Sequence, residues 1–212
     1  MMDFKELYFI RPGHTNQDER RVFHNSADAS LSSAGITSAE EVGDMLHGQG
    51  IQSIISGDYL RQAQTSEILA KYLNLKIVYS HLLQERRGGH LEGKVISSAK
   101  MDRSAYVSYY SENHRNMEPL EKVLARVEKM ALKILSAPQY KIAIVGTSWI
   151  NSYMLNLFCK EQKLCYHPQD TDSIHYLCVN KIARCVIKNL NQDNLKENLS
   201  LGSDTMPEYA LH

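Results

Sequence analysis

The chain has 212 residues, 43% of them apolar and 23% charged, which is enough to bury one sizeable core and too apolar for a disordered chain. Its 24 basic residues balance 24 acidic ones and are spread along the sequence, so it lacks the basic excess or block of a nucleic-acid or anionic-membrane partner. No apolar run is long enough to cross a bilayer, and Met1 to Glu6 is charged and leads straight into an apolar stretch, without a secretory-type region. A cytoplasmic protein is expected.

Leu7-Tyr8-Phe9-Ile10 is a compact apolar and aromatic run stopped by Arg11-Pro12-Gly13, the pattern of a buried first strand. A helix is predicted from Ser32 or Ser33 to Leu46, with a serine cap before it and Gly48 and Gly50 after it. Ile51 to Ser56 reads as a second strand. Leu60 to Leu73 spaces Leu60, Ala63, Ile68, Leu69 and Tyr72 as one face of an amphipathic helix. Ile77 to Tyr79 makes a third strand.

The clearest helix runs from Pro119 to Leu135, where apolar residues recur at steps of three and four. Beyond Pro138, the continuous run Ile142 to Val145 suits a strand buried on both faces. A helix is expected around Asn151 to Glu161, and Ser173 to Val179 with Ala183 to Leu190 reads as a hairpin. This alternation predicts an α/β fold, a three-layer α/β/α sandwich with a mainly parallel sheet. Residues 1–190 are expected to form the domain. An insertion at about 95–116, carrying Tyr106, Tyr109 and Tyr110, is expected over the carboxyl ends of the strands, and residues 191–212 form a polar tail. Cys159, Cys165, Cys178 and Cys185 have no C-x-x-C or zinc-type spacing, which favours reduced core thiols and no metal.

Ligands of an open α/β sheet bind at the carboxyl ends of its strands. The residues there are Arg11-Pro12-Gly13-His14-Thr15, Gly57-Asp58-Tyr59-Leu60-Arg61 and Gly146-Thr147-Ser148. Two arginines at such ends can hold a phosphate through paired N–H donors, and a glycine lets the backbone approach it.

Taken together these segments resemble the histidine phosphatase superfamily, the phosphoglycerate-mutase-like fold. Its strand ending R-H-G-[EQ]-T is similar to Arg11-Pro12-Gly13-His14-Thr15, and its D-x-P-L-[TS]-x-x-G to the segment from Asp28 to Gly35. Its S-[DP]-L-x-R-A-x-x-T-A-E resembles the segment from Gly57 to Glu67. Leu83 to Gly93 keeps every fixed position of L-x-E-x-x-x-G-x-x-E-G, and Glu118 and Arg126 keep the spacing of a later E-S…R pair.

The resemblance implies that Arg11 and Arg61 bind phosphate, with Gly13, Thr15, Thr147 and Ser148 nearby. It implies that Glu85 stands where the family has the acid that protonates the leaving group. The nucleophilic histidine position falls on Pro12 and the second histidine position on Thr147. Family chemistry passes through a phosphohistidine; Pro12 has no side-chain lone pair, and Thr147 carries no positive charge. His14 lies two residues on, about 7 Å along an extended chain, too far to replace a nucleophile that must sit about 3–3.5 Å from phosphorus. His24, His47, His90, His114 and His167 read as surface or loop residues. With Glu85 as the carboxylate these motifs supply, the pocket is expected to be positive.

The expectation is therefore a superfamily member without catalysis that binds phosphate, a phosphorylated small molecule or a phosphoprotein, with no cofactor, nucleic acid or membrane. The alternative is a weak phosphomonoesterase using Glu85 as general acid and another nucleophile.

Overall fold

The computed structural model describes residues 4–20, 22–25, 28–95, 116–159, 169, 174–180 and 185–190. Apart from Val95 and Asn116 at its ends, the expected insertion lies outside the described residues, as does the C-terminal tail.

Among the described residues there are six strands: β1 (Phe4–Ile10), β2 (Ser53–Ser56), β3 (Ile77–Tyr79), β4 (Lys141–Val145), β5 (Ile174–Asn180) and β6 (Cys185–Leu190). They form one sheet in the order β3-β2-β4-β1-β5-β6. The first four strands are parallel, and β5 and β6 run antiparallel as the expected hairpin. The described residues also form the helices α1 (Asn16–Glu19), α2 (Ser33–Leu46), α3 (Leu60–Leu73), α4 (Leu120–Ser136) and α5 (Ser148–Cys159). Short 3-10 turns occupy His81–Leu83 and Gly89–Leu91.

The apolar run of β1 divides by the two-residue period of a strand. Leu7 and Phe9 join Ile142 and Ile144 in one core with Val123, Val127, Met130 and Ile134 of α4 and Trp149, Tyr153 and Met154 of α5. Tyr8 and Ile10 face the other way, packing with Ala143 and Val145 against Val42, Met45 and Leu46 of α2 and Leu69 of α3. Helices therefore cover both faces of the sheet, as the sequence predicts. Burying each such side chain contributes about 1.5–3 kcal/mol, so this one strand anchors both layers.

The Ser32 hydroxyl accepts the Gly35 N–H at 3.2 Å and caps α2, and Gly48 leaves it with φ of 78°. Helix α5 begins at Ser148, ahead of the expected Asn151. Every residue from Ser148 to Asn156 is buried, so this helix start shows no one-sided apolar pattern from which a boundary could be read. Among the described residues no helix is long and apolar enough to cross a membrane.

Candidate oxyanion site at the carboxyl ends of the strands

Register places the site. Val145 pairs with Ile10 on one side and Ser56 on the other, so β1, β4 and β2 end level. Gly146 N–H donates to Ile10 C=O and Gly57 N–H to Val145 C=O, each at 3.1 Å. Beyond this edge lies a cleft of about 100 Å³, room for a small anion or a few waters. Arg11, Pro12, Gly13, Arg61, Glu85, Thr147 and Ser148, all singled out from sequence, line it.

The two guanidiniums are aimed by backbone carbonyls. Arg11 Nη1 donates to Gln169 C=O at 2.8 Å. Arg61, 6% exposed, donates from Nη2 to Asn25 C=O at 2.5 Å and from Nη1 to His24 C=O at 3.4 Å. It also lies over the Tyr59 ring, 5.3 Å from the centroid.

Glu85 is buried, and desolvation pushes its carboxyl above the ordinary carboxylate range. The Thr147 hydroxyl, the Arg86 backbone N–H at 2.7 Å and the charges of Arg61 and Arg126 oppose that rise without cancelling it. Although Thr147 Oγ1 lies close enough to favour the charged carboxylate, it completes no well-aligned hydrogen bond among the described residues. Buried hydroxyls are nearly always satisfied, so an unsatisfied one at a cleft wall marks where a ligand oxygen would sit. Ser148 opens α5 at the same wall, and the N–H groups of a helix start favour negative charge.

A model of the histidine phosphatase superfamily (branch 1) matches residues 7–185. The chain belongs to that superfamily. Curated relatives include the probable phosphoglycerate mutase GpmB of Yersinia pestis (strain Pestoides F), 34% identical over 93 residues, or 44% of this chain and 43% of the relative. The GpmB of Proteus mirabilis (strain HI4320) is 29% identical over 101 residues, 48% of this chain and 47% of the relative. The chain thus matches under half the length of these relatives.

Among solved structures, a mycobacterial glucosyl-3-phosphoglycerate phosphatase in complex with VO3 superposes with a TM-score of 0.75 at 17% identity, covering 88% of this chain and 99% of that one. A phosphoglycerate mutase from Bacillus anthracis str. Sterne gives 0.73 at 16% identity, covering 93% and 97%. At such identities the likeness is one of fold, the phosphoglycerate-mutase-like α/β fold.

Several superfamily motif positions have local physical reasons in this chain. Asp28 Oδ1 accepts the Leu60 N–H at 2.8 Å, and Gln64 Oε1 accepts the Leu31 N–H at 2.8 Å, fastening the loop before α2 to α3. Arg126 donates to both carboxylate oxygens of Glu118 at 3.2 Å and from Nη1 to Leu82 C=O at 2.9 Å. That pair joins α4 to the segment carrying Glu85. A Cβ on Gly13 would lie 2.2 Å from Gly35 O, and one on Gly35 2.0 Å from His14 O. Both glycines are therefore needed for two backbones to touch, and the Gly13 N–H goes to Thr65 Oγ1 at 3.3 Å.

Some expectations change. Thr15, expected at the phosphate, is fully buried and absent from the cleft lining; its hydroxyl caps α1, donates to Asp18 Oδ2 at 2.8 Å and meets His24 Nε2 at 3.0 Å. His14 is exposed and also outside the lining. His24, expected on the surface or in a loop, lies in a loop, and that loop places it on the cleft wall with Asp18, Asn25 and Trp149. Asp18 is a second carboxylate, so the two arginines face two acids and the positive pocket no longer follows from the motifs alone. Thr15-Asn16-Gln17-Asp18 has the spacing of a capping box, and the box forms. That signal could have put Asp18 beside Thr15 and turned the loop toward the cleft.

Proposed function

We propose that this superfamily member binds phosphate, or the phosphoryl group of a phosphorylated ligand, in the cleft and does not carry out phosphohistidine chemistry. The observation that carries the reading is the convergence of Arg11, Arg61 and the unsatisfied Thr147 hydroxyl on one cleft, with Pro12 in the position of the family's nucleophile. Guanidiniums supply planar pairs of donors suited to phosphate oxygens, whereas proline supplies no attacking atom. The name of the mycobacterial neighbour, a sugar-phosphoglycerate phosphatase, supports a phosphomonoester as the ligand class.

The direct test titrates phosphate and sulfate at low ionic strength into the parent protein and the Arg11→Ala and Arg61→Ala variants. Binding by the parent and marked weakening in both variants supports the reading; equal, negligible binding by all three refutes it. Incubation with phosphoryl donors is expected to leave no phosphoenzyme, and an acid-labile adduct on any histidine would contradict that.

One observation favours a second reading, a slow phosphomonoesterase. Buried Glu85, with its carboxyl raised, can hold a proton at higher pH than a surface acid and give it to a leaving oxygen. Sustained turnover of a generic phosphomonoester that disappears in Glu85→Gln would establish it.

A further inference from the structure

We propose that His24 is the titrating cation of the cleft, so that an oxyanion held by Arg11 and Arg61 binds together with one proton on its imidazole. This rests on the oxyanion reading above and adds to it a residue that no superfamily motif named in the sequence supplies.

The ring is held at both nitrogens. Nδ1 lies 2.8 Å from Val22 C=O, which can only accept, so Nδ1 carries a proton. Nε2 lies 3.0 Å from Thr15 Oγ1 and 3.6 Å from Asp18 Oδ1. Thr15 has a single hydroxyl proton to give and two acceptors facing it, His24 Nε2 and Asp18 Oδ2. With a neutral ring, that proton can go to Nε2, and Asp18 Oδ2 keeps the Thr15 backbone N–H at 2.8 Å. With a protonated ring, Nε2–H donates to Thr15 Oγ1, the hydroxyl turns to Asp18, and every group has a partner. The charged form thus satisfies one more bond and sets a carboxylate beside the imidazolium. The incoming proton comes from the buffer, and no covalent bond changes.

The charges facing His24 can be named element by element. Asp18 comes from α1, Arg61 from α3 reaches the His24 carbonyl, and Arg11 after β1 and Glu85 before the Gly89–Leu91 turn share the cleft. Two permanent cations are opposed there by Asp18 and, when it ionises, by Glu85. A dianion entering so balanced a site gains little from net charge unless another proton arrives. His24 can take it, because the protonated ring donates to Thr15 and faces the Asp18 carboxylate. Both ring nitrogens are engaged within the protein, so neither presents a lone pair for attack on phosphorus. The assigned role is charge supply, distinct from the nucleophile of the family.

The experiment uses sulfate, which stays a dianion across this range, on the full chain. Calorimetry between pH 5.5 and 8 is expected to show affinity falling about tenfold per pH unit once the ring loses its proton. Two buffers of different ionisation enthalpy should register uptake of about one proton, and the His24 ring resonances should titrate at higher pH with sulfate present. His24→Gln should bind weakly with little pH dependence, while Glu85→Gln should retain the dependence. Dependence that persists in His24→Gln and vanishes in Glu85→Gln gives the proton to Glu85 and overturns the proposal, as does pH-independent binding by the parent. The ring titration decides the matter even if His24→Gln fails to fold. No sulfate binding by the parent at any pH would overturn the oxyanion reading together with this one.

Discussion

The two walls of the cleft are built differently. One carries Arg61 and Glu85 and is braced from behind: Glu118 and Arg126 form a two-bonded pair whose side chains are 12% and 14% exposed, and they also bond Leu82 C=O and the Arg87 N–H. The other is the loop from Arg11 to Asn25, where superfamily positions give way to Pro12 and His14 and where Asp18 and His24 line the cleft. It is held by backbone contact between Gly13 and Gly35 and by a polar cluster of small side chains. A wall with a mostly buried ion pair behind it keeps its acid in place, whereas one held by exchangeable hydrogen bonds can change its chemistry without changing its path.

The largest effect should come from breaking the brace. Arg126→Ala leaves Glu118 with an unpaired, mostly buried carboxylate, and losing one partner of such a pair costs about 3–5 kcal/mol. Denaturant unfolding of the variant should show that loss, and a change below about 1 kcal/mol would mean that the first wall is not pinned by this pair. Arg61→Ala comes next, with removal of charge-assisted bonds worth about 1.5–3 kcal/mol each. Sulfate affinity should drop by about tenfold to a hundredfold, measured by calorimetry at low salt. An unchanged affinity would shift the site to the Arg11 wall.

Glu85 gives a pH test. Burial raises its carboxyl in the folded protein, so between the unfolded value of about 4.3 and the folded one the native state binds more protons than the unfolded state. Its contribution is complete below the unfolded value and is lost as pH rises through the folded one. Urea unfolding from pH 4 to 8 should therefore show a steeper decline for the parent than for Glu85→Gln, and parallel profiles would contradict the assignment. The smallest effect is expected for Thr147→Val, which removes one neutral hydrogen bond to the ligand, about 0.5–1.5 kcal/mol. Sulfate should bind roughly threefold to tenfold more weakly, with stability little altered because that hydroxyl completes no bond among the described residues.

Sequence alone determined the layered fold and much of the first wall. Leu60 to Leu73 and Ile77 to Tyr79 are found with the expected bounds, because apolar spacing and terminal residues act over a few positions. Arg11, Arg61 and Thr147 were legible because they stand just past β1, at the start of α3 and just past β4, where the chain's own local geometry carries them to the sheet edge. The second wall was not legible in that way. Whether Thr15 faces the cleft or caps a helix, and whether His24 faces solvent or the cleft, depends on the path of a loop with no apolar period of its own. Tertiary contacts fix that path: Gly13 against Gly35, and Arg61 on the carbonyls of His24 and Asn25. Those partners are separated by 22, 37 and 36 positions in the chain, so only the folded sheet and helices bring them within reach.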